Sequence, residues 1–542
     1  MNRRAVAAFF LFCLCMGGLC LRLFTLSTKI NAAQYTQSHT KKITLDYLRL
    51  PLLDCNGERI TCRETETYIA AKPVYDVLPV LREHLKKDDF NAAAQSIAHG
   101  LPVCAKAENG TDISDSNMIT LRKYVRYSKN AGLSHLTGYV NSDGVGVGGI
   151  ESAFDSCLKT DIPLYAGFSC GGDGQVIGGA KIETNELYYS KKCGIKLTID
   201  SEIQRAVEDA LEKSDIKKGA VLVCETKTGA VRAMASVPTF DRNDVGKSLE
   251  DDDSPLVNRA ISAYPVGSVF KAAVAACALD NGVPPSFSIK CTGSCTVDGK
   301  VFHCNNGTAH GIVDMQKALT CSCNCYFIKL AQRTGSKPLV ETAGILGYGQ
   351  PFEIAKGLFS SSGNLPTAEK LRSTGQLALF SFGQGTLTAT TLHIANTFSA
   401  IGNGGYYTEP YTVTEITDVS GARIYGFTPK AHIRAFSEQT ADTLRNMLKE
   451  VVKGGTAKKA YTELFESAGK TATAQTGVFN PDKTERLCTW FGGFFPADNP
   501  EYTVVILKED GTTGGEDCAP VYKEIAENIY FIKQMNEKNG GD

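Results

Sequence analysis

Residues 264–282, YPVGSVFKAAVAACALDNG, constrain the fold of this chain more than any other stretch. Positions 272–279 are small and apolar throughout, the pattern of a helix buried on most sides. Pro265 and Gly267 punctuate its entry, and Asp280, Asn281, Gly282, Pro284 and Pro285 mark its exit. Ser268 and Lys271 stand at its start, three residues apart and therefore on one helical face. Burial and the positive end of the helix dipole both lower a lysine pKa there. A neutral amine can then take the serine proton and leave a nucleophilic oxygen. The same Ser-x-x-Lys spacing recurs at Ser38/Lys41, Ser156/Lys159, Ser214/Lys217 and Ser467/Lys470, so spacing alone does not single out Ser268.

With 542 residues the chain exceeds what one core holds, and two or three domains are expected. A hydrophobic content of 43% and a charged content of 21% describe a folded protein. The net charge of -1 offers no basic excess for phosphate neutralisation, which excludes nucleic acid as the main partner. Of 19 cysteines, Cys13, Cys15 and Cys20 lie in the apolar N-terminus. Most of the others read as small buried hydrophobes. Cys291, Cys295 and Cys304, with His303 alongside, lack the paired C-x-x-C knuckle of a zinc site. Unpaired thiols, or a Cys291–Cys304 loop disulfide, are expected there, and no metal or cofactor.

Arg3 and Arg4 precede an apolar run at 5–21, near the lower limit of about 17 residues for a membrane span. Basic residues in front place the N-terminus in the cytoplasm and the rest of the chain outside. The run is longer than a normal signal-peptide core, so an uncleaved single-pass anchor is expected over a cleaved leader with Asn31-Ala32-Ala33 as its site. Residues 50–61 read as strand, Asn-Gly turn and strand. Asn109-Gly110 is a further turn. Glu151, after the glycines at 144–149, reads as a structural contact rather than an acid catalyst. A domain boundary is expected near Gly194. Beyond it, Asp200 or Ser201 caps a helix at 202–213, and 219–225 and 230–236 alternate as a hairpin.

The helical run 313–334 contains Ser322-Cys323-Asn324. A hydroxyl and an amide two residues apart diverge on a regular helix, so both serve one site only at a bend or a terminus. Ser362/Asn364 repeats the pattern in a polar loop. Gly383-Gln384-Gly385 is expected to open a helix that Asn403-Gly404-Gly405 closes. Residues 469–475, GKTATAQ, form a strand of small and hydroxylated residues beside Lys470, against which a ligand backbone can lie closely. A last hairpin, 489–495 with 502–507, and an amphipathic run at 521–534 complete the chain.

Taken in order, Ser-x-x-Lys, Ser-x-Asn and Lys-Thr-Ala resemble the S-x-x-K, S-x-N and K-T-G series of the penicillin-recognising serine acyl-transferases. Asn258-Arg259 with 264–271 is similar to the N-R-a…Y-P-P-G-S-t-F-K signature of class B penicillin-binding proteins. Arg49, Asp54, Asn56 and Gly57 match that class's opening motif, and Gly149-Ile150-Glu151 and Gly383-Gln384-Gly385 match further parts of its pattern. The resemblance runs from the anchor to about residue 533. It departs at Ala472 for the usual glycine, Val266 for a proline and Cys55 for an arginine.

The resemblance implies an α+β multidomain chain. Residues 1–24 would be a cytoplasmic tail and transmembrane helix, 25–193 a mixed α/β pedestal, and 194–535 a transpeptidase domain with an antiparallel sheet flanked by helices. Residues 536–542 would be a flexible tail. It further implies a membrane-bound D,D-transpeptidase that cross-links peptidoglycan stem peptides and is acylated by β-lactams. Its expected partners are a lipid-linked glycosyltransferase and division or elongation proteins. Ser268 would be the nucleophile, Lys271 its base, Ser322 the proton relay and Asn324 the donor-amide ligand. Lys470 would supply positive potential and hold Ser322, Thr471 would bind the terminal carboxylate, and the N–H groups of Ser268 and Thr473 would form the oxyanion hole. A non-catalytic scaffold of the same fold, with Ala472 as its mark, is the alternative; a β-lactamase or β-lactam sensor leaves the long region before residue 194 unexplained.

Overall fold

In the computed structural model, which describes residues 3–29, 40–108, 110–128, 132–185, 192–304, 307–427 and 430–539, the run at 264–282 is two pieces. A 3-10 turn, Gly267–Phe270, feeds an α-helix, Lys271–Asp280. The cleavage sequence at 31–33, Asn109 of one expected turn and residues 540–542 lie outside the described residues.

Contacts divide the chain into two units that interleave in sequence, rather than at a single cut near residue 194. One unit comprises residues 1–49, 62–126 and 159–188; the other comprises 50–61, 127–158 and 189–542.

The first unit begins with helix α1, Arg3–Lys29, whose Phe9, Phe10, Phe12 and Leu14 are exposed. Among the described residues, no helix is long and apolar enough to cross a membrane. Strand β1 (Thr40–Arg49) pairs antiparallel with a later strand, Lys159–Ser169, in a long ribbon. Strand β2 (Glu64–Ala71) lies between β3 (Val103–Lys106) and β4 (Met118–Val125). Alternation along β2 sends Ile69 and Ala71 into one small core with Leu81 and Ile97, and Ala70 into another with Leu121 and Phe168.

In the second unit, strand β5 (Gly194–Leu197) pairs parallel with Leu52–Leu53 and antiparallel with Val413–Thr417. The hairpin at 50–61 is present in reduced form, its return arm a single bridge between Leu53 and Arg59. The Asp54 carboxylate accepts from the Asn56 and Glu58 N–H groups at 2.9 Å each and shapes the Asn-Gly turn. Helix α2 (Ser201–Lys213) is capped by Asp200, which accepts from Glu202 and Ile203 N–H. Strands β6 (Gly219–Glu225) and β7 (Val231–Val237) form the expected hairpin. The C-terminal strands β8 (Ala468–Phe479), β9 (Glu485–Phe495) and β10 (Tyr502–Lys508) join it, giving a five-stranded antiparallel sheet in the order β7-β6-β10-β9-β8.

Both faces of this sheet are covered by helices. On β9, Gly492 faces Phe398 and Ile394 of the helix Thr391–Gly402, while its neighbour Phe491 packs against Tyr522 with the rings tilted and their centroids 4.2 Å apart. Adjacent strand residues point to opposite faces, so those helices sandwich the sheet. Tyr522 belongs to the C-terminal helix Ala519–Asn539, which carries its helical form through Asn536 where a flexible tail was expected. The helix expected to open at Gly383 starts instead at Thr391, because Gly383 and Gly385 adopt positive φ angles of 76° and 84°. Glu151 is a buried structural residue, as expected, accepting a hydrogen bond of 2.9 Å from the Tyr127 hydroxyl.

Candidate active site

The site forms where the 3-10 turn carrying Ser268 meets the free edge of the sheet. Strand β8 is the edge strand, so one side of its backbone is unpaired by the ladder. A Cβ added to Gly267 would lie 2.9 Å from the Thr473 carbonyl oxygen, and Gly267 has a φ of 63°. Only glycine fits both the close approach and the left-handed backbone. In an extended strand a residue's C=O and N–H point to the same side, so the Thr473 N–H also faces the Ser268 turn. Gly267 donates its N–H to the Gly383 carbonyl at 2.8 Å, and the Trp490 indole donates to the Pro265 carbonyl at 2.8 Å. These contacts hold the entry of the turn from both sides.

Ser268 lies within the 3-10 turn and Lys271 opens the α-helix that follows it, so the two stand three residues apart along one continuous helical path. Ser268 is half-buried and Lys271 fully buried. The Lys271 Nζ donates to the Ser322 hydroxyl at 3.1 Å, the Ser322 carbonyl at 2.8 Å and the Asn324 Oδ1 at 2.7 Å. Ser322 and Asn324 reach one ammonium because the helical run at 313–334 is broken. Helix α3 (Met315–Thr320) ends before Ser322, whose φ is 56°, and helix α4 (Asn324–Thr334) starts after it. A non-glycine residue in that region costs about 1–3 kcal/mol and is retained at functional bends. The break supplies the bend that the two-residue spacing required.

Burial lowers the pKa of Lys271 to about 8. Burial, and then the charge of Lys271, pushes Lys470 well below its ordinary value. The two lysines from distant parts of the chain therefore share one site. Lys470 does not reach Ser322; its Nζ donates to the Thr471 carbonyl at 3.0 Å and to the Thr456 hydroxyl at 3.4 Å. Thr471 donates to the same Thr456 hydroxyl at 2.9 Å. Thr456 is a site residue the sequence reading missed. It follows the helix Glu438–Gly454, and its N–H binds the Thr320 carbonyl at 3.1 Å, tying the Lys470 strand to the Ser322 bend. Its signal was Gly454-Gly455-Thr456, a glycine stop followed by a hydroxyl.

Ala472 is only 3% exposed and belongs to the apolar core, so the departure from glycine is absorbed by packing. The second Ser-x-Asn is elsewhere engaged: Asn364 donates to the Thr386 carbonyl at 2.5 Å. Cys291 and Cys304 are free thiols with sulfurs 3.7 Å apart, well beyond the roughly 2.05 Å of a disulfide.

Comparison with known proteins agrees with this geometry. The penicillin binding protein transpeptidase domain matches residues 219–527. Stage V sporulation protein D of Bacillus subtilis is 30% identical over 415 residues, which cover 72% of this chain and 62% of that protein. The match thus spans less than two thirds of the sporulation protein. Peptidoglycan D,D-transpeptidase PbpA of Mycolicibacterium smegmatis is 30% identical over 430 residues, covering 74% of this chain and 83% of that one. A ceftriaxone acyl-enzyme complex of penicillin-binding protein A from M. tuberculosis superposes with a TM-score of 0.62 at 25% identity, over 76% of this chain and 93% of that one. With its three motifs drawn around one buried lysine, the chain belongs to the class B penicillin-binding proteins and carries their transpeptidase domain at residues 219–527.

Proposed function

We propose that this protein is a serine D,D-transpeptidase that cross-links peptidoglycan stem peptides and is acylated by β-lactams. The observation that carries the reading is the buried Lys271, which opens the α-helix three residues after Ser268 and is bonded to Ser322 and Asn324. Lys271 in its neutral form takes the Ser268 proton as the oxygen attacks the penultimate D-alanine carbonyl. The N–H groups of Ser268 and Thr473 receive the developing oxyanion, and one such donor is typically worth about 3 kcal/mol of barrier. The Ser322 hydroxyl passes the proton to the departing D-alanine nitrogen, and an acceptor amine then resolves the acyl-enzyme. Asn324 binds the donor amide, Thr471 the terminal carboxylate, and Lys470 adds positive potential.

The name of the mycobacterial PbpA relative supports this reading, and so does family membership. Fluorescent penicillin should label the wild-type chain covalently and leave Ser268→Ala unlabelled. If folded wild type neither labels nor releases D-alanine from a stem pentapeptide, the reading is wrong and the scaffold alternative stands.

The apolar run at 5–21 behind Arg3 and Arg4 supports a single-pass anchor with an extracytoplasmic catalytic domain. A lipid-linked glycosyltransferase and division or elongation proteins would be its partners there. Release of the full chain from membranes by alkaline carbonate would refute the anchor.

A further inference from the structure

Arg259 and Tyr264 precede the Ser268 turn, and the acylation chemistry uses neither of them. Their side chains nevertheless meet on one atom. The Arg259 Nε donates to the Glu509 Oε1 at 2.8 Å, and the Tyr264 hydroxyl donates to the same oxygen at 2.7 Å. Arg259 is only 3% exposed, and a buried guanidinium is retained where a carboxylate and further acceptors face it. Its two terminal nitrogens donate to the Ser254 carbonyl at 3.1 Å and the Asp253 carbonyl at 2.8 Å, and its backbone N–H donates to the Ser236 hydroxyl at 3.0 Å. Charge-assisted hydrogen bonds of this length hold their donors in a narrow range of directions.

Glu509 is itself held at the sheet. It follows β10 directly, and its N–H donates to the Lys218 carbonyl at 2.8 Å. The preceding Lys508 pairs with Asp517 at 3.1 Å and with Asp215 at 3.2 Å, which pins the end of the strand. The segment then runs on to Gly514, where an added Cβ would lie 2.6 Å from the Ala472 carbonyl oxygen and 2.3 Å from that of Trp490. One loop therefore touches both the approach to Ser268 and the Lys-Thr-Ala strand. The oxyanion N–H groups come from those same two places, Ser268 on the turn and Thr473 on β8, so their separation depends on how the turn is tied to the sheet. We propose that Glu509 is a positioning residue for Ser268: its carboxylate holds Tyr264 and Arg259, and thereby sets the nucleophile turn against strand β8. A displacement of about 1 Å at such a place can cost on the order of a hundredfold in rate.

The positioning role rests on the acylation reading, so the test includes a readout that does not. Full chain purified in detergent is compared as wild type, Tyr264→Phe, Glu509→Ala, Glu509→Gln and the Tyr264→Phe/Glu509→Ala double variant. The limiting rate of penicillin acylation should fall about tenfold or more in Glu509→Ala and roughly threefold to tenfold in Tyr264→Phe, which keeps the ring and loses the hydroxyl. The dissociation constant of the non-covalent penicillin complex should stay unchanged. The double variant should be no slower than Glu509→Ala, because the shared hydrogen bond is lost only once. Glu509→Gln keeps an acceptor for both donors and should stay within about threefold of wild type. Deuterium uptake at residues 265–270 should rise in Tyr264→Phe and Glu509→Ala whether or not the chain acylates. A lower urea midpoint with the limiting rate of the folded variants unchanged would make the contact merely structural and overturn the proposal, as would losses that multiply in the double variant. Where Glu509→Ala fails to fold, Tyr264→Phe decides alone. Wild type that never labels would sink the acylation reading; raised uptake in the variants would then leave the hold on the turn standing, and unchanged uptake would overturn it too.

Discussion

Lys271 concentrates the chemistry in a single amine. Burial brings its pKa to about 8, so its neutral form rises with pH through that value. If the neutral amine is the base, about a tenth of the enzyme is active at pH 7 and most of it above pH 9. The rate of penicillin acylation should therefore climb roughly tenfold between those pH values and then level off. A profile flat across that range would remove Lys271 as the base. Lys271→Arg keeps a permanent cation at the position and should not acylate at any of these pH values. The residue types and the order of the motifs were legible in the chain. The hydrogen bonds from Lys271 to Ser322 and Asn324 were not, because they join residues separated by 51 and 53 positions.

At the level of the element, strand β8 decides what the Lys-Thr-Ala departure means. Ala472 lies within the strand with 3% of its surface exposed and with Trp490 as its ladder partner. Restoring glycine there removes a packed methyl and loosens the backbone. Ala472→Gly should lower stability by about 0.5–1 kcal/mol or somewhat more, read from the urea midpoint, while penicillin labelling persists. A stabilised variant would mean that the methyl is strained rather than packed. Elements whose signals are local, such as the Asp200-capped helix and the hairpin of β6 and β7, follow from the sequence directly. The break at Ser322 was visible only as a requirement, since nothing in 313–334 contains a glycine or proline to mark it before Gly335 and Pro338.

For the whole molecule, the interleaved second unit carries a consequence for any attempt to isolate it. Residues 50–61 and 127–158 contribute Leu52, Ile60, Leu136, Ile150, Phe154 and Leu158 to the same apolar core as the catalytic sheet. A fragment starting at residue 194 lacks all of them and loses the parallel partner of β5. Each large buried side chain lost from a core costs about 2–5 kcal/mol. The fragment should be aggregated, or melt well below the full chain, in a thermal unfolding measurement. A fragment that is soluble and matches the full chain would show that these segments are dispensable.

The sequence by itself determined the buried helix behind Ser268, the antiparallel hairpins and the identities of the polar groups, because helical periodicity, strand alternation and turn residues act over a few neighbours. Tertiary structure alone decided that Thr456 joins the site, that Ala472 is core, and that Glu509 reaches Tyr264 and Arg259 from the end of β10. Those outcomes depend on which strand lies at the sheet edge and which loops fold back upon it, and contacts between distant segments leave no mark in local spacing.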